Sequence, residues 1–197
     1  MQSIAKPFLE KRMQPQGNDR KRFRIAQTEV EHLERLVNDV LVYAKPAEPR
    51  REPCDVRKIL EHALAMAEKD IAEKSIRVET AYDHAVPPIS ADSGMLGQAF
   101  LNICRNGIDA MEHGGTLTVA ARLAGGEPRT VNVEIGDNGC GIDPQDMPHL
   151  FNPFFTKKRY GTGLGLSQVK KIVDLHDGTI EILSKPGEGT RVVISLP

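Results

Sequence analysis

The spacing of apolar and polar residues changes several times along the chain, and each change marks an element. Ala26, Val30, Leu33, Val37, Val40 and Ala44 follow four-three steps, the seam of a helix that packs lengthwise against other helices. Pro46 ends it. Ile4, Phe8 and Leu9 belong to a shorter helix near Pro7, and residues 14–19 read as the turn between the two. Two antiparallel helices bury such a seam poorly by themselves, so the pattern predicts a dimeric four-helix bundle. Residues 46–54 are proline-rich and charged and read as a linker. Beyond them the pattern predicts a helix over 55–73 and strands near 76–82, 116–123, 130–136, 178–184 and 190–196.

The stretch from Asp92 to Met111 carries no proline, and Asp92 is a suitable N-cap. Met95, Ala99, Ile103, Ala110 and Met111, with Phe100 or Leu101, supply an apolar stripe. Gln98, Asn102, Asn106 and Asp109 recur at steps of four, four and three, which lines them along one face. Asparagine is a mediocre helix former, so two of them a turn apart need a reason. One reason is a solvated or capping face. The other is a magnesium site, where amide carbonyl oxygens complete a shell of phosphate oxygens and water.

Two further constellations carry chemistry. Asp137-Asn138-Gly139-Cys140-Gly141-Ile142 ends the alternating run Val131, Val133, Ile135, where a strand enters a loop. A carboxylate there, followed by glycines, can accept from the exocyclic amine of a planar base such as adenine. A plain Asp-Asn-Gly turn would also produce these letters. The second constellation is Gly161-Thr162-Gly163-Leu164-Gly165-Leu166-Ser167, which opens into the helical run Leu164, Leu166, Val169, Ile172, Val173. Glycines bring main-chain N–H groups close to a ligand and a helix start adds unpaired donors, so phosphate fits both. The spacing is not that of a dinucleotide-binding turn, and Leu166-Ser167 stands where a Walker loop needs Lys-Ser or Lys-Thr.

Taken in order, Asn102-Ile-Cys-Arg-Asn106, Asp137-x-Gly139-x-Gly141, Pro153-Phe154-Phe155-Thr156, Gly161-Thr-Gly163-Leu-Gly165-Leu and Gly187-Glu-Gly189-Thr190 resemble the N, G1, F, G2 and G3 boxes of sensor histidine kinases of two-component signalling. The Pro-Phe-Phe-Thr-Lys wording resembles the nitrogen-regulation-like branch. This resemblance covers about residues 92–197 and implies an α/β fold, a Bergerat-type sandwich in which a mixed sheet backs three helices, preceded by the dimerising helical hairpin. It implies a partial dimerisation and phosphoacceptor hairpin over 1–45, the linker over 46–54 and a catalytic ATP-binding domain over 55–197.

The resemblance also implies roles. Asn106 would ligate Mg²⁺ with Asn102 beside it, these two being the catalytic pair, and Asp109 would join the ATP site. Asp137 would bind the adenine amine, with Gly139, Gly141 and Ile142 admitting the base. Thr156, Lys157, Gly161, Thr162, Gly163, Leu164, Gly165 and Leu166 would form a lid over the phosphates, with Thr190 near the adenine through the Asp137 network. Phe154 and Phe155 read as core aromatics at least as readily as direct contacts. The implied activity is transfer of the ATP γ-phosphoryl group to a histidine, then to an aspartate of a response-regulator receiver domain, by a homodimer joined through the N-terminal helices.

One departure matters. The family's acceptor histidine precedes an acidic residue and an Asn-Pro or Thr-Pro step, and none of His32, His62, His84, His113, His149 and His176 has those neighbours. Met1-Gln-Ser-Ile-Ala resembles the residues that relatives carry immediately after that motif, so the chain is expected to start just beyond it. His32 reads as a bundle-surface residue and His176 as a helix C-cap, and Asp177 stands where relatives often have glycine. An ATPase of the gyrase, Hsp90 and MutL group would need a glutamate to activate water where Asn102 stands. A degenerate nucleotide-binding dimerisation module is the other alternative.

A net charge of −1 leaves no electrostatic footprint for nucleic acid. No run is apolar enough to insert directly into a membrane, although a tethered parent protein stays open. Cys54, Cys104 and Cys140 lack metal-ligand spacing, which suggests a reducing, cytoplasmic setting. Cys104 is expected in the core, and Cys140 in reach of solvent.

Overall fold

The computed structural model describes residues 22, 23, 25–27, 29, 30, 33, 37, 48–125, 130–158 and 161–197. The chain divides into two compact units, Met1–Ala44 and Lys45–Pro197. In the first, residues 22, 23, 25–27, 29, 30, 33 and 37 are helical. Val30, Leu33 and Val37 of the expected seam, and Ile25 beside it, are all more than half exposed. The short helix near Pro7, the turn at 14–19, His32, Val40, Ala44 and Pro46 lie outside the described residues.

The second unit has the element order β1 (Glu52–Cys54), α1 (Val56–Glu73), β2 (Arg77–Tyr82), β3 (Ile89–Ala91), α2 (Ser93–Ala110), β4 (Thr116–Leu123), β5 (Val131–Asp137), α3 (Gly165–Leu175), β6 (Thr179–Lys185) and β7 (Gly189–Leu196). A one-turn 3-10 helix, Met147–His149, precedes α3. The main sheet has five strands in the order β2-β4-β5-β7-β6. It is mixed: β2 runs parallel to β4, and the remaining neighbours are antiparallel.

The alternation along each strand decides which face is covered. Leu117, Val119 and Ala121 of β4, Val131, Val133 and Ile135 of β5, and Val192, Ile194 and Leu196 of β7 are buried. They meet Leu96, Phe100 and Ile103 of α2, Leu60 of α1 and Val169 and Val173 of α3 in one core. Each large side chain buried in this way favours the fold by about 1.5–3 kcal/mol. The expected α/β sandwich, a mixed sheet backed by helices, is the fold found.

Some expectations change in detail. Residues 52–54, read as the end of the linker, form β1 and pair with Ile89–Ala91 in a separate two-stranded sheet. Three-residue strands have too few positions for alternation to show, which is why neither was expected. On α2 it is Phe100, not Leu101, that is fully buried, and Leu96 and Ile108 take stripe positions while Met95 and Ala110 are only half-buried.

Side chains serve both ends of α2, one from its own N-cap residue and one from the end of α1. Asp92 caps α2 through Oδ1, which accepts from Met95 N at 3.0 Å, and its Oδ2 accepts from Arg50 N at 3.0 Å. Burial pushes the Asp92 carboxyl up, but backbone donors at Met95, Arg50 and Gly94 outweigh it and hold the pKa below the ordinary value. At the other end Lys74 Nζ donates to the carbonyls of Ile108 and Met111 at 2.8 and 2.9 Å, which serves two of the C-terminal acceptors that a helix leaves open.

His176 is the C-cap residue of α3, as expected, and its ring does more than cap. Nδ1 lies 2.8 Å from the Ile172 carbonyl and Nε2 accepts from Asp92 N at 2.9 Å, which requires the neutral ring with its proton on Nδ1. Asp177, in the place of a glycine, has φ +56 and an ion pair to Arg51 at 2.6 Å. Aspartate tolerates that left-handed conformation better than most residues.

Candidate nucleotide-binding site

The end of β5, the polar face of α2, the β6–β7 turn and the start of α3 converge on the residues of the five motifs. Asp137 is the last residue of β5 and pairs with Thr190 of β7. Its Oδ1 accepts from Gly139 N at 2.9 Å. Burial raises its pKa above the ordinary aspartate value, against the lowering effect of the Gly139 and Thr190 backbone donors and the Lys158 charge. A partly desolvated carboxylate with further acceptor capacity suits a neutral N–H donor such as an amine on a base.

Gly107 of α2 makes room for this carboxylate. A methyl group there would lie 3.1 Å from Leu117 Cδ1 and 3.3 Å from Asp137 Cβ and Oδ2, a tight fit that the absent side chain relieves. The residue sits one position after Asn106, and a glycine within a helix that otherwise costs about 1 kcal/mol was the available signal.

The loop after Asp137 is fixed from both sides. Cys140 N donates to Ala110 O at 3.1 Å, and Gly187 N donates to Cys140 O at 2.8 Å. Gly141 has φ +69 and Gly189 φ +92, and a Cβ on either would overlap a backbone carbonyl, that of Lys185 or that of Asp137. Ile142 N donates to Ser184 Oγ at 2.9 Å. The same hydroxyl donates to Gly189 O at 2.9 Å and lies 2.9 Å from Thr190 Oγ1. One hydroxyl has a single proton, so Thr190 is the donor of that last bond. Ser184 therefore links Ile142 to Thr190 and so to Asp137, a hub the sequence did not single out because a serine on an edge strand carries no pattern. Cys140 is exposed and Cys104 is buried, both as expected. Burial pushes the Cys104 thiol up to about 12, so it stays protonated.

On α2, Asn102 Nδ2 donates to Gln168 Oε1 of α3 at 3.0 Å. A turn further on, Asn106 Oδ1 and Asp109 Oδ2 both accept from Lys158 Nζ, each at 2.8 Å. An ammonium thus occupies the space between two oxygens three residues apart. Hard oxygen donors around one cation are the donor set Mg²⁺ takes, with several positions left for water and phosphate. Asn106 and Asp109 fit the ion. Among the described residues no group of three or more His, Cys, Asp or Glu could hold a metal, so an ion here would need oxygens from a ligand.

Of the two adjacent lysines it is Lys158 that reaches the polar face of α2. Lys157 Nζ is paired with Asp146 at 2.6 Å, and that bond raises its pKa; Lys158, the next residue, reaches the Asn106–Asp109 pair. Alternation in an extended segment turns adjacent side chains to opposite sides, and the sequence alone could not tell which faced α2. Thr156 Oγ1 accepts from Lys158 N at 3.1 Å, a local bond that shapes the segment.

Neither phenylalanine joins the core. Phe154 is 67% exposed with φ +66, an uncommon backbone state for a bulky residue. Phe155 is half-buried with its ring centroid 5.7 Å from that of His149.

In the glycine loop, Gly161 N donates to Lys158 O at 3.1 Å, and Leu164 N donates to Thr162 Oγ1 at 3.4 Å. Gly163 lies against the Phe154 backbone with φ +68. Gly165 differs: a Cβ there would meet nothing within 4 Å, so packing within the protein does not explain it. It opens α3, whose N-cap Leu164 is buried and has no side-chain cap, and Leu166 is half-buried beside it. An uncapped helix start keeps N–H donors and partial positive charge for an anion.

Residues 91–197, more than half of the chain, match the family model described as histidine kinase-, DNA gyrase B-, and HSP90-like ATPase. The sensor histidine kinase ZraS of Klebsiella oxytoca is 32% identical over 197 residues, which is 100% of this chain and 42% of that protein. Full-length ShkA, solved in complex with AMPPNP, is 26% identical with a TM-score of 0.78 over 96% of this chain and 40% of that one. The mycobacterial sensor histidine kinase MprB is 31% identical with a TM-score of 0.63, covering 75% of this chain and 97% of the solved one. The chain belongs to the family of histidine kinase-, DNA gyrase B- and HSP90-like ATPases, and within it is similar to the catalytic ATP-binding portion of sensor histidine kinases.

Proposed function

We propose that this chain binds Mg-ATP and is the part of a sensor histidine kinase that presents the γ-phosphoryl group for transfer to a histidine, from which it passes to a response-regulator aspartate. The observation that carries the reading is the Lys158 ammonium between Asn106 Oδ1 and Asp109 Oδ2, a cation held by oxygen donors on the helix that also flanks Asp137. Asp137 accepts from the adenine amine, and Thr190 and Ile142 keep its surroundings in register through Ser184. Asn106, with Asp109 and Asn102, faces the triphosphate. Asn106 and Asp109 would hold Mg²⁺, and the ion would supply charge neutralisation to the phosphates. Lys158 exchanges the two α2 oxygens for phosphate oxygens when residues 156–158 and 161–166 close, and the open start of α3 accepts the anionic end. Positioning and charge do most of the work in such a transfer.

Asn106→Ala tests the metal half of the reading. ATP affinity measured with Mg²⁺ and again with chelator should differ in the wild type and become nearly equal in the variant. A variant that keeps the full metal response would make Asn106 a structural residue only. The lid gives a second outcome: amide exchange at residues 156–158 and 161–165 should slow when an ATP analogue is added. Protection that is already complete without nucleotide would rule out closure.

The chain spans less than half the length of relatives such as ZraS, so the activity of the whole protein rests on analogy. None of the six histidines has the acceptor's neighbours. Incubation with γ-labelled ATP should therefore leave no acid-labile, base-stable phosphate on it, and stoichiometric phosphohistidine would contradict the assignment. Exposed Ile25, Val30, Leu33 and Val37 support a homodimer through the N-terminal helices. Among the described residues no helix is long and apolar enough to cross a membrane. A cytoplasmic setting agrees with three free cysteines.

Against the ATPase alternative, Asn102 stands where a base would be needed, and an amide cannot act as one.

A further inference from the structure

Gln168 is the feature that the adenine and metal sites leave unexplained. It lies in the first turn of α3, directly after the glycine loop, and is 3% exposed. Its neighbours on the buried stripe are Leu164, Val169, Ile172 and Val173, so an apolar residue would be the ordinary choice. Oε1 accepts from Asn102 Nδ2 at 3.0 Å, while Nε2 is buried and has no hydrogen-bond partner among the described residues. Buried polar atoms are nearly always paired, and a bare amide donor on a side chain that already holds Asn102 calls for an acceptor from outside the protein.

The chemistry of an amide has two consequences here. With its NH₂ committed to Gln168, Asn102 keeps Oδ1 as the oxygen it can offer to other groups, so Gln168 sets which end of the Asn102 amide is available. Gln168 also retains a donor at Nε2, on a residue in the first turn of the helix whose open start favours anions. Gln168 is carried by α3, the helix into which the lid runs.

We propose that Gln168 is a positioning residue for the triphosphate end of the nucleotide: Oε1 orients the Asn102 amide, and Nε2 completes its hydrogen bonding with an oxygen that the bound triphosphate supplies. This rests on the Mg-ATP reading of the site. It adds a specific link between the helix after the lid and the helix that carries Asn106, and it makes Gln168 sensitive to phosphates and indifferent to the base.

The test is calorimetric titration of wild type, Gln168→Met and Gln168→Glu with Mg-AMPPNP and with adenosine, each protein checked by its thermal melt. Gln168→Met should weaken Mg-AMPPNP by about tenfold and leave adenosine within about twofold. Gln168→Glu keeps an acceptor for Asn102 but puts an anion in place of the donor, so it should weaken Mg-AMPPNP further and again spare adenosine. In combination with Asn102→Ala, Gln168→Met should cost less than the sum of the single changes.

A measurement on the wild type covers the case of poorly folded variants. The side-chain NH₂ resonances of Gln168 should shift with Mg-AMPPNP and stay in place with adenosine. Unchanged Mg-AMPPNP affinity in Gln168→Met, equal losses for both ligands, or NH₂ resonances that ignore the analogue would overturn the proposal while leaving the Mg-ATP reading intact. A wild type that binds neither ligand would overturn both.

Discussion

Asp137→Asn weakens ATP and ADP by similar factors and leaves the Mg²⁺ response in place. The carboxylate ends β5, where the proposed reading puts the base, whereas the oxygens that hold the Lys158 ammonium are on α2, at Asn106 and Asp109. Asparagine keeps the size but replaces one acceptor oxygen by a donor, so it meets the adenine amine donor to donor. Loss of a charge-assisted bond and misorientation of its partners cost about 1.5–3 kcal/mol, or roughly 10- to 150-fold in affinity. Nucleotide titration by calorimetry is the check, and unchanged affinity with an intact fold would place the base elsewhere.

The same carboxyl makes a pH prediction. Because burial raises its pKa in the folded protein, the protonated form becomes common at a higher pH than for a free aspartate. ATP affinity should fall as the pH is lowered through that raised value, and should do so before ordinary carboxylates titrate. Stability moves the opposite way. The folded state binds this proton more tightly than the unfolded chain, so the contribution of the group is fully present below the unfolded pKa and is lost as pH rises through the folded one. A chain that binds ATP equally down to the ordinary aspartate range would argue that Asp137 does not accept from the base.

Gly189→Ala is expected to have the largest effect on stability. At φ +92 an alanine is strained, and its Cβ would collide with the Asp137 carbonyl across the strand pair. Backbone strain and overpacking together cost about 2–4 kcal/mol, a fall in Tm of roughly 5–15 °C for a unit of this size. Gly187 supplies the comparison, because it also has positive φ, +78, but a Cβ there meets nothing within 4 Å. Gly187→Ala should cost only the strain, about 1 kcal/mol. Thermal melts of the two variants separate conformation from collision, and equal losses would show that the contact with Asp137 is slack.

Much of this was legible in the sequence because it depends on local chemistry. Alternation at Val131, Val133 and Ile135 and at Val192, Ile194 and Leu196 marks strands with one covered face, and Asp92 announces a helix that starts one residue later. Asn102, Asn106 and Asp109 share a helix face by spacing, and in the structure they lie beside Gln168 and Lys158. The features that could not be read depend on three-dimensional approach. Gly107 matters because of the side chains α2 packs against, Ser184 because two loops meet at its hydroxyl, and Lys158 rather than Lys157 because of the direction the lid segment takes. Strands β1 and β3 were missed because three residues pair across a gap that no periodicity spans.

The central claim is that one site holds both adenine and a metal-bound triphosphate. Calorimetric titration of the wild-type chain with ATP, first with Mg²⁺ and then with chelator, tests it most directly. Saturable binding of one nucleotide per chain that weakens at least several-fold on chelation is the predicted result; no binding, or binding indifferent to Mg²⁺, would contradict it.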